Sequence, residues 1–306
     1  MRPPVLRAAT RGSALALWQT EHIGSLLAAV SDVRVEPVIV ETAGDVRQDL
    51  PIWAIGGRGV FVKEVQAAVL DGRAHFAVHS AKDLPSSVTP GLVIAAVPMR
   101  ADPRDALVGA SLEGLPIGGL VATGSVRRRA QLASLRPDLT FTGLRGNVGT
   151  RLAKATSFAA IVMAAAALER LGHADQVAEL LDCTVMVPQV GQGALAVETR
   201  EDDAEVLVLL QAIEHGPSRL AVDAERAYLA EIGGGCDLPV GAYAHLVADG
   251  TVTMEAVLAS LDGRIVLRAA GEAAAGGGED LGRSLARRLL DESGGSWLLE
   301  SLRGLA

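Results

Sequence analysis

Cysteine is scarce in this chain of 306 residues, which has only Cys183 and Cys236. The two could pair only if folding brought them together, and neither has His or Cys companions at ligand spacing, so the pattern offers no zinc site. Aromatic residues are also few, at 3% of the chain, so its cores must be built from Ala, Val and Leu. No apolar run approaches the ~18 residues of a membrane span, and the expectation is no membrane partner. The opening residues Met1, Arg2, Pro3, Pro4, Val5, Leu6 and Arg7 lack the uninterrupted apolar stretch of a secretory signal. The expected location is therefore cytoplasmic, a reducing compartment that argues against a disulfide. A broad excess of positive charge is missing too. At a net charge of −8 the chain is a poor nonspecific nucleic-acid binder, and no nucleic-acid partner is expected.

The remaining composition, 49% hydrophobic and 21% charged, is that of a globular protein of about two or three domains. Its charge is unevenly spread. Residues 100–154 carry nine Arg and Lys against four Asp and Glu, net +5, whereas residues 198–306 carry nine against nineteen, net −10. A basic middle in an acidic chain suits a compact anionic ligand. Taken alone, the run Arg127, Arg128, Arg129 reads more simply as a solvated helix face.

Strand and helix patterns alternate along most of the chain. Strands are expected at Val5 to Ala9, Val35 to Glu41, His75 to His79, Leu120 to Ala122, Leu139 to Gly143 and Ala159 to Met163. Helices are expected from a cap at Ser13 toward Val30, and at Val62 to Leu70, Val126 to Leu135 and Val148 to Ala155. After about residue 215 the order changes to a helix over Arg219 to Glu231, three antiparallel strands (Ala242 to Val247, Val252 to Leu261, Arg264 to Ala270) and a helix over Leu281 to Leu290. This is α/β patterning followed by a small α+β tail.

Polar residues recur where an α/β sheet binds ligands, on loops after the carboxyl ends of strands. Arg11 and Ser13 follow the first strand, and Ser80, Lys82 and Asp83 follow the third. Thr123, Gly124, Ser125, Arg127 and Arg128 follow Leu120 to Ala122, and Arg145, Gly146, Asn147 and Arg151 follow the strand ending near Gly143. Each loop puts hydroxyls, free backbone N–H groups or guanidinium forks at a helix start, which suits carboxylates or phosphates. Asp83 among these cations reads as an acid–base group, or, more commonly for a single Asp, as an ion-pair partner of Lys82 or a helix cap. Cys236 lies in Gly233, Gly234, Gly235, Cys236, Asp237, Leu238, Pro239, where glycine and proline enforce a loop. An accessible reactive thiol and a small buried thiol fit that loop about equally.

Eight motifs run nearly end to end along the chain: ATRGSALALWQT at 9–20, GRGVFVKE at 57–64, AVHSAKDLP at 77–85, DPRDAL at 102–107, TGSVRRRAQL at 123–132, LRGNVGTRL at 144–152, VGQGAL at 190–195 and GGGCDLPVGAY at 233–243. In these motifs the chain resembles the porphobilinogen deaminase (hydroxymethylbilane synthase) family. The resemblance implies a transferase of tetrapyrrole (haem) biosynthesis. Such an enzyme condenses four porphobilinogen molecules head to tail into hydroxymethylbilane, releasing ammonia, on a covalent dipyrromethane cofactor. It implies attachment of that cofactor through a thioether to Cys236, and a catalytic carboxylate at Asp83. Cofactor contacts are implied at Ser80, Lys82, Asp83, Thr123, Ser125, Arg127, Arg128 and Arg145. Substrate contacts are implied at Arg11, Ser13, Gln19, Phe61, Arg145, Arg151, Arg170 and Gln192.

The resemblance also implies a monomer with two periplasmic-binding-protein-like α/β lobes bearing mixed sheets, and a small α+β C-terminal domain with a three-stranded antiparallel sheet. The corresponding boundaries are 1–98 with 194–212, 99–193, and 215–306. Departures from the family pattern are Gly12 and Ala14 in the first motif, Gly124 in place of a common serine, Ala167 in place of a glycine, and a stretch between Lys154 and Ile161 about two residues short. Two other classes remain in view. A nonenzymatic anion-binding module would have the lobes but no need of Cys236. A cysteine hydrolase would need a histidine to activate the thiol, and His75 and His79 read more simply as strand residues.

Overall fold

Residues 4–42, 62–234 and 238–303 are described by a computed structural model of the chain. The chain opens with β1 (Val5–Thr10), whose alternate residues Leu6 and Ala8 are buried. Ser13 then caps α1 (Ala14–Val30), its side chain accepting from the Ala16 N–H at 3.3 Å. Next come β2 (Arg34–Ile39), α2 (Lys63–Leu70), β3 (Phe76–Ser80) and β4 (Leu92–Ala96). A second run follows with β5 (Asp105–Val108), β6 (Leu120–Ala122), α3 (Val126–Leu135), β7 (Thr140–Thr142), α4 (Val148–Ala153), β8 (Ala160–Ala164), α5 (Ala165–Arg170) and β9 (Val177–Leu181). β10 (Leu195–Arg200), α6 (Ala204–Gln211) and α7 (Gly216–Ile232) lead to β11 (Val240–Leu246), β12 (Thr251–Ala259), β13 (Val266–Ala274), α8 (Gly278–Arg287) and α9 (Gly295–Arg303).

These elements divide into two units, residues 1–101 with 194–219 and residues 102–193 with 220–306. The first holds a five-stranded mixed sheet in the order β2-β1-β3-β10-β4, with β10 antiparallel to both its neighbours. The second holds another, β7-β6-β8-β5-β9, with β5 antiparallel to both its neighbours. Strand for strand the two orders are the same: two parallel pairings, then one reversed strand, then an edge strand. The second unit also contains the three-stranded antiparallel sheet β11-β12-β13. This is the α/β architecture with a C-terminal antiparallel sheet that the pattern predicts.

The scarcity of aromatics is met by aliphatic cores. In the first unit Ile23 and Leu27 of α1 pack with Phe76, Val197 and Leu210, all buried. In the second, Leu107, Val121, Leu132 and Val162 form one cluster, while Ala242, Ala256, Tyr228 and Leu285 belong to a separate core under the three-stranded sheet. Burying each such Val, Leu or Ile side chain contributes about 1.5–3 kcal/mol. Gly241 shows why one position must stay bare: a Cβ there would lie 2.6 Å from the Pro188 carbonyl oxygen, and the Ala242 N–H donates to that same oxygen at 3.0 Å. No helix among the described residues is long and apolar enough to cross a membrane.

Candidate functional site

The sequence-predicted polar residues fall into two clusters, one in each unit. In the first unit, β1 delivers Arg11 and β3 delivers Ser80, followed by a single 3-10 turn, Ala81–Asp83. Gln19, on the buried side of α1 at 3% exposure, donates from Nε2 to Ser80 Oγ at 2.8 Å. Arg11, Ser13, Gln19, His79, Ser80 and Asp83 line one small cavity of about 60 Å³, with Val62 and Val65 among its apolar walls. Asp83 is half-buried and has neither a hydrogen bond nor an ion pair among the described residues. It is thus not the Lys82 ion-pair partner or helix cap that its place in the sequence also allowed. Lys82 occupies the same turn, half-buried.

In the second unit, Ser125 caps α3 by accepting from the Arg128 N–H at 3.4 Å, and Thr123 Oγ1 accepts from the Ser125 N–H at 3.3 Å. The arginine run that follows is not a solvated face. Arg127 and Arg128 are 3% and 6% exposed, and only Arg129 points outward. Both buried guanidiniums converge on Asp105, which is fully buried: Arg127 Nη1 donates to Oδ2 at 2.7 Å and Arg128 Nε to Oδ1 at 2.8 Å. Gln192 Nε2 adds a third donor at 2.9 Å. Burial alone would raise the pKa of Asp105, but the two guanidiniums overcome it and hold the carboxyl well below the usual carboxylate range. For Arg128 the balance is reversed, and burial lowers its pKa despite Asp105.

The remaining arginines stand nearby in sequence but are separately held. Asn147 caps α4, accepting from the Thr150 N–H at 2.9 Å, with half-buried Arg145 just ahead of it. Arg151 Nε donates to the Gly146 carbonyl at 2.7 Å. Gly146 has φ +110°, in the region that favours glycine, and a Cβ there would meet the Thr150 methyl at 2.7 Å. Arg170 Nη2 donates to the Gly193 carbonyl at 2.7 Å, and burial pushes its pKa down to about 10, still fully charged at neutral pH. Cys236 and Phe61 lie outside the described residues.

Residue patterns alone did not single out Asp105, Glu225 or the His79–Glu198 pair. Asp105 is visible in the DPRDAL motif, yet nothing local says that it collects two arginines. Glu225, also fully buried, accepts from the Gly191 N–H at 2.7 Å and the Ala244 N–H at 2.9 Å, and so holds the segment that carries Gln192. His79 reaches Glu198 across neighbouring strands, with Nε2 3.0 Å from Oε2.

Residues 6–208 match the family model described as "Porphobilinogen deaminase, dipyromethane cofactor binding domain", and residues 219–291 match "Porphobilinogen deaminase, C-terminal domain". A porphobilinogen deaminase from Nitratidesulfovibrio vulgaris (strain DSM 19637 / Miyazaki F) is 44% identical over 302 residues, 95% of each chain. One from Roseiflexus sp. (strain RS-1) is 48% identical over 291 residues, 93% of this chain and 95% of that one. Among solved structures, immunogenic lipoprotein A from Vibrio vulnificus is 11% identical with a TM-score of 0.43, covering 68% of this chain and 94% of the other, a likeness that carries no functional weight.

Proposed function

The chain belongs to the porphobilinogen deaminase family, and from that membership we propose that it condenses four molecules of porphobilinogen head to tail into hydroxymethylbilane, releasing one ammonia per addition. The observation that carries the proposal is Asp83, a carboxylate without a partner among the described residues, in a small cavity with Arg11, Ser13, Gln19 and Ser80. Departure of ammonia leaves positive charge on the substrate ring. A carboxylate that no cation among the described residues neutralises is free to stabilise that charge, and in a partly buried site the effect is large. Arg11 and Ser13 supply donors for the acetate and propionate of the incoming pyrrole.

The family implies a dipyrromethane cofactor, and the second unit fits a carboxylate-bearing group. Two guanidiniums share one buried carboxylate there, leaving a net +1, and Arg127 Nε and Nη2 are buried without a hydrogen-bond partner among the described residues. An unsatisfied buried donor is costly, so such atoms suit an acceptor. In our reading Thr123, Ser125, Arg127, Arg128 and Arg145 hold the cofactor together with Ser80 and Lys82, and Cys236 anchors it. When bound, the cofactor supplies the free pyrrole carbon from which the chain is extended. Arg151, Arg170 and Gln192 serve the lengthening, increasingly anionic product.

Intact mass spectrometry tests the assignment. The purified protein should carry a covalent dipyrrole that reacts with Ehrlich's reagent. Cys236→Ser should remove that mass and Cys183→Ser should keep it. Retention of the adduct by the Cys236 variant would overturn the anchor, and absence of hydroxymethylbilane production by the unaltered protein would overturn the function.

A further inference from the structure

His79 is the one imidazole lining the Asp83 cavity, and the role assigned to Asp83 leaves it unused. It is 5% exposed, on β3 one residue before Ser80. Its Nε2 stands 3.0 Å from Glu198 Oε2, too far off line to count as a formed hydrogen bond, so the contact is electrostatic. Glu198, 2% exposed on β10, is held from behind: Gln66 Nε2 donates to both its oxygens at 3.1 and 2.9 Å, and Thr89 Oγ1 donates to Gln66 Oε1 at 3.0 Å. A buried carboxylate close to one ring nitrogen electrostatically favours the proton on that nitrogen and leaves the other as a base, and it stabilises the imidazolium that forms when the base is used.

The proposed reaction needs such a base. In each addition the C–N bond of porphobilinogen breaks, and its electron pair leaves with ammonia. The π electrons of the terminal pyrrole of the growing chain, itself derived from porphobilinogen after the first addition, then form the new C–C bond. That ring recovers aromaticity only when its α C–H bond breaks and a proton departs. A carboxylate that stabilises the cation by being negative loses that ability if it takes the proton. Resting on the proposed function, we propose that the two tasks are divided: Asp83 stays charged, and His79 Nδ1 accepts the α-proton, with Glu198 stabilising the imidazolium until the proton passes to water.

The test uses holoenzyme and porphobilinogen deuterated at its free α-carbon, with His79→Gln and Glu198→Gln as variants. Intact mass first establishes that each variant retains its covalent cofactor. His79→Gln should lower turnover by roughly 10²-fold, the scale of general base catalysis, with KM little changed. The deuterium isotope effect should rise above that of the unaltered enzyme, because proton removal has become the slow step. Glu198→Gln, which keeps shape and removes charge, should raise the isotope effect in the same direction with a smaller loss of turnover. Damage to packing alone would slow turnover without changing the isotope effect. An unchanged isotope effect in both variants overturns the proposal, as does near-normal turnover of His79→Gln. If the unaltered enzyme makes no hydroxymethylbilane, the functional reading fails instead.

Discussion

The two five-stranded sheets share a strand order but treat charge in opposite ways. In the first unit Asp83 is half-buried and has no partner among the described residues. In the second, Arg127, Arg128 and Gln192 are buried and all point at Asp105. The same topology thus carries an unpaired carboxylate in one place and a buried fork of guanidiniums closed on a carboxylate in the other. A group that must change its charge environment during a reaction benefits from being unpaired, whereas a group that must hold one anion in one orientation benefits from a fixed scaffold.

Removing the central carboxylate of each cluster should separate the two designs. Asp105→Asn leaves two buried guanidiniums without their counter-charge and should cost about 3–5 kcal/mol of stability, read as a lower denaturant midpoint. Because Asp105 titrates below the ordinary carboxylate range, its stabilisation is present above the unfolded carboxylate value of about 3.9 and is lost only as pH falls through its own lowered value. The gap between variant and parent should therefore hold from neutral pH down to about pH 4. Asp83→Asn should do the converse. Stability should stay within about 0.5 kcal/mol and cofactor should remain attached, while turnover falls about 10²–10³-fold. Equal stability losses in the two variants would erase the distinction. The smallest effect tests where the units ought to agree: Ser13→Ala and Ser125→Ala each remove a helix cap and should each cost about 1 kcal/mol in thermal or chemical denaturation.

Features that depend on neighbouring residues were legible from sequence. The strand Leu120 to Ala122, the helix Val126 to Leu135 and the cap at Ser13 are found as expected, because periodicity and capping are local. β4, β5, β9 and β10 escaped because they are four to six residues long and lack a clean polar alternation, so that long-range pairing decides them. α9 escaped behind the glycines at its start. The site divides in the same way. Arg11, Ser80 and Asp83 announce themselves at the ends of strands and in the turns that follow, whereas the burial of Arg127 and Arg128 depends on Asp105, two elements earlier in the chain. His79 is indeed a strand residue, but its meaning comes from Glu198, which lies across the sheet.

The position of β10 has a consequence for how the chain is made. It inserts between β3 and β4, though it is built from residues 195–200. A ribosome releases β3 and β4 long before the strand that joins them, so their facing edges stay unpaired while the whole β5-to-β9 sheet is synthesised. Sheet edges left open for that time are sites of mispairing. In the other five-stranded sheet the wait is shorter, because its reversed strand, β5, emerges first and its partners β8 and β9 follow before β10 is made. Its completion waits only for β9, so during synthesis the sheet begun second can close first.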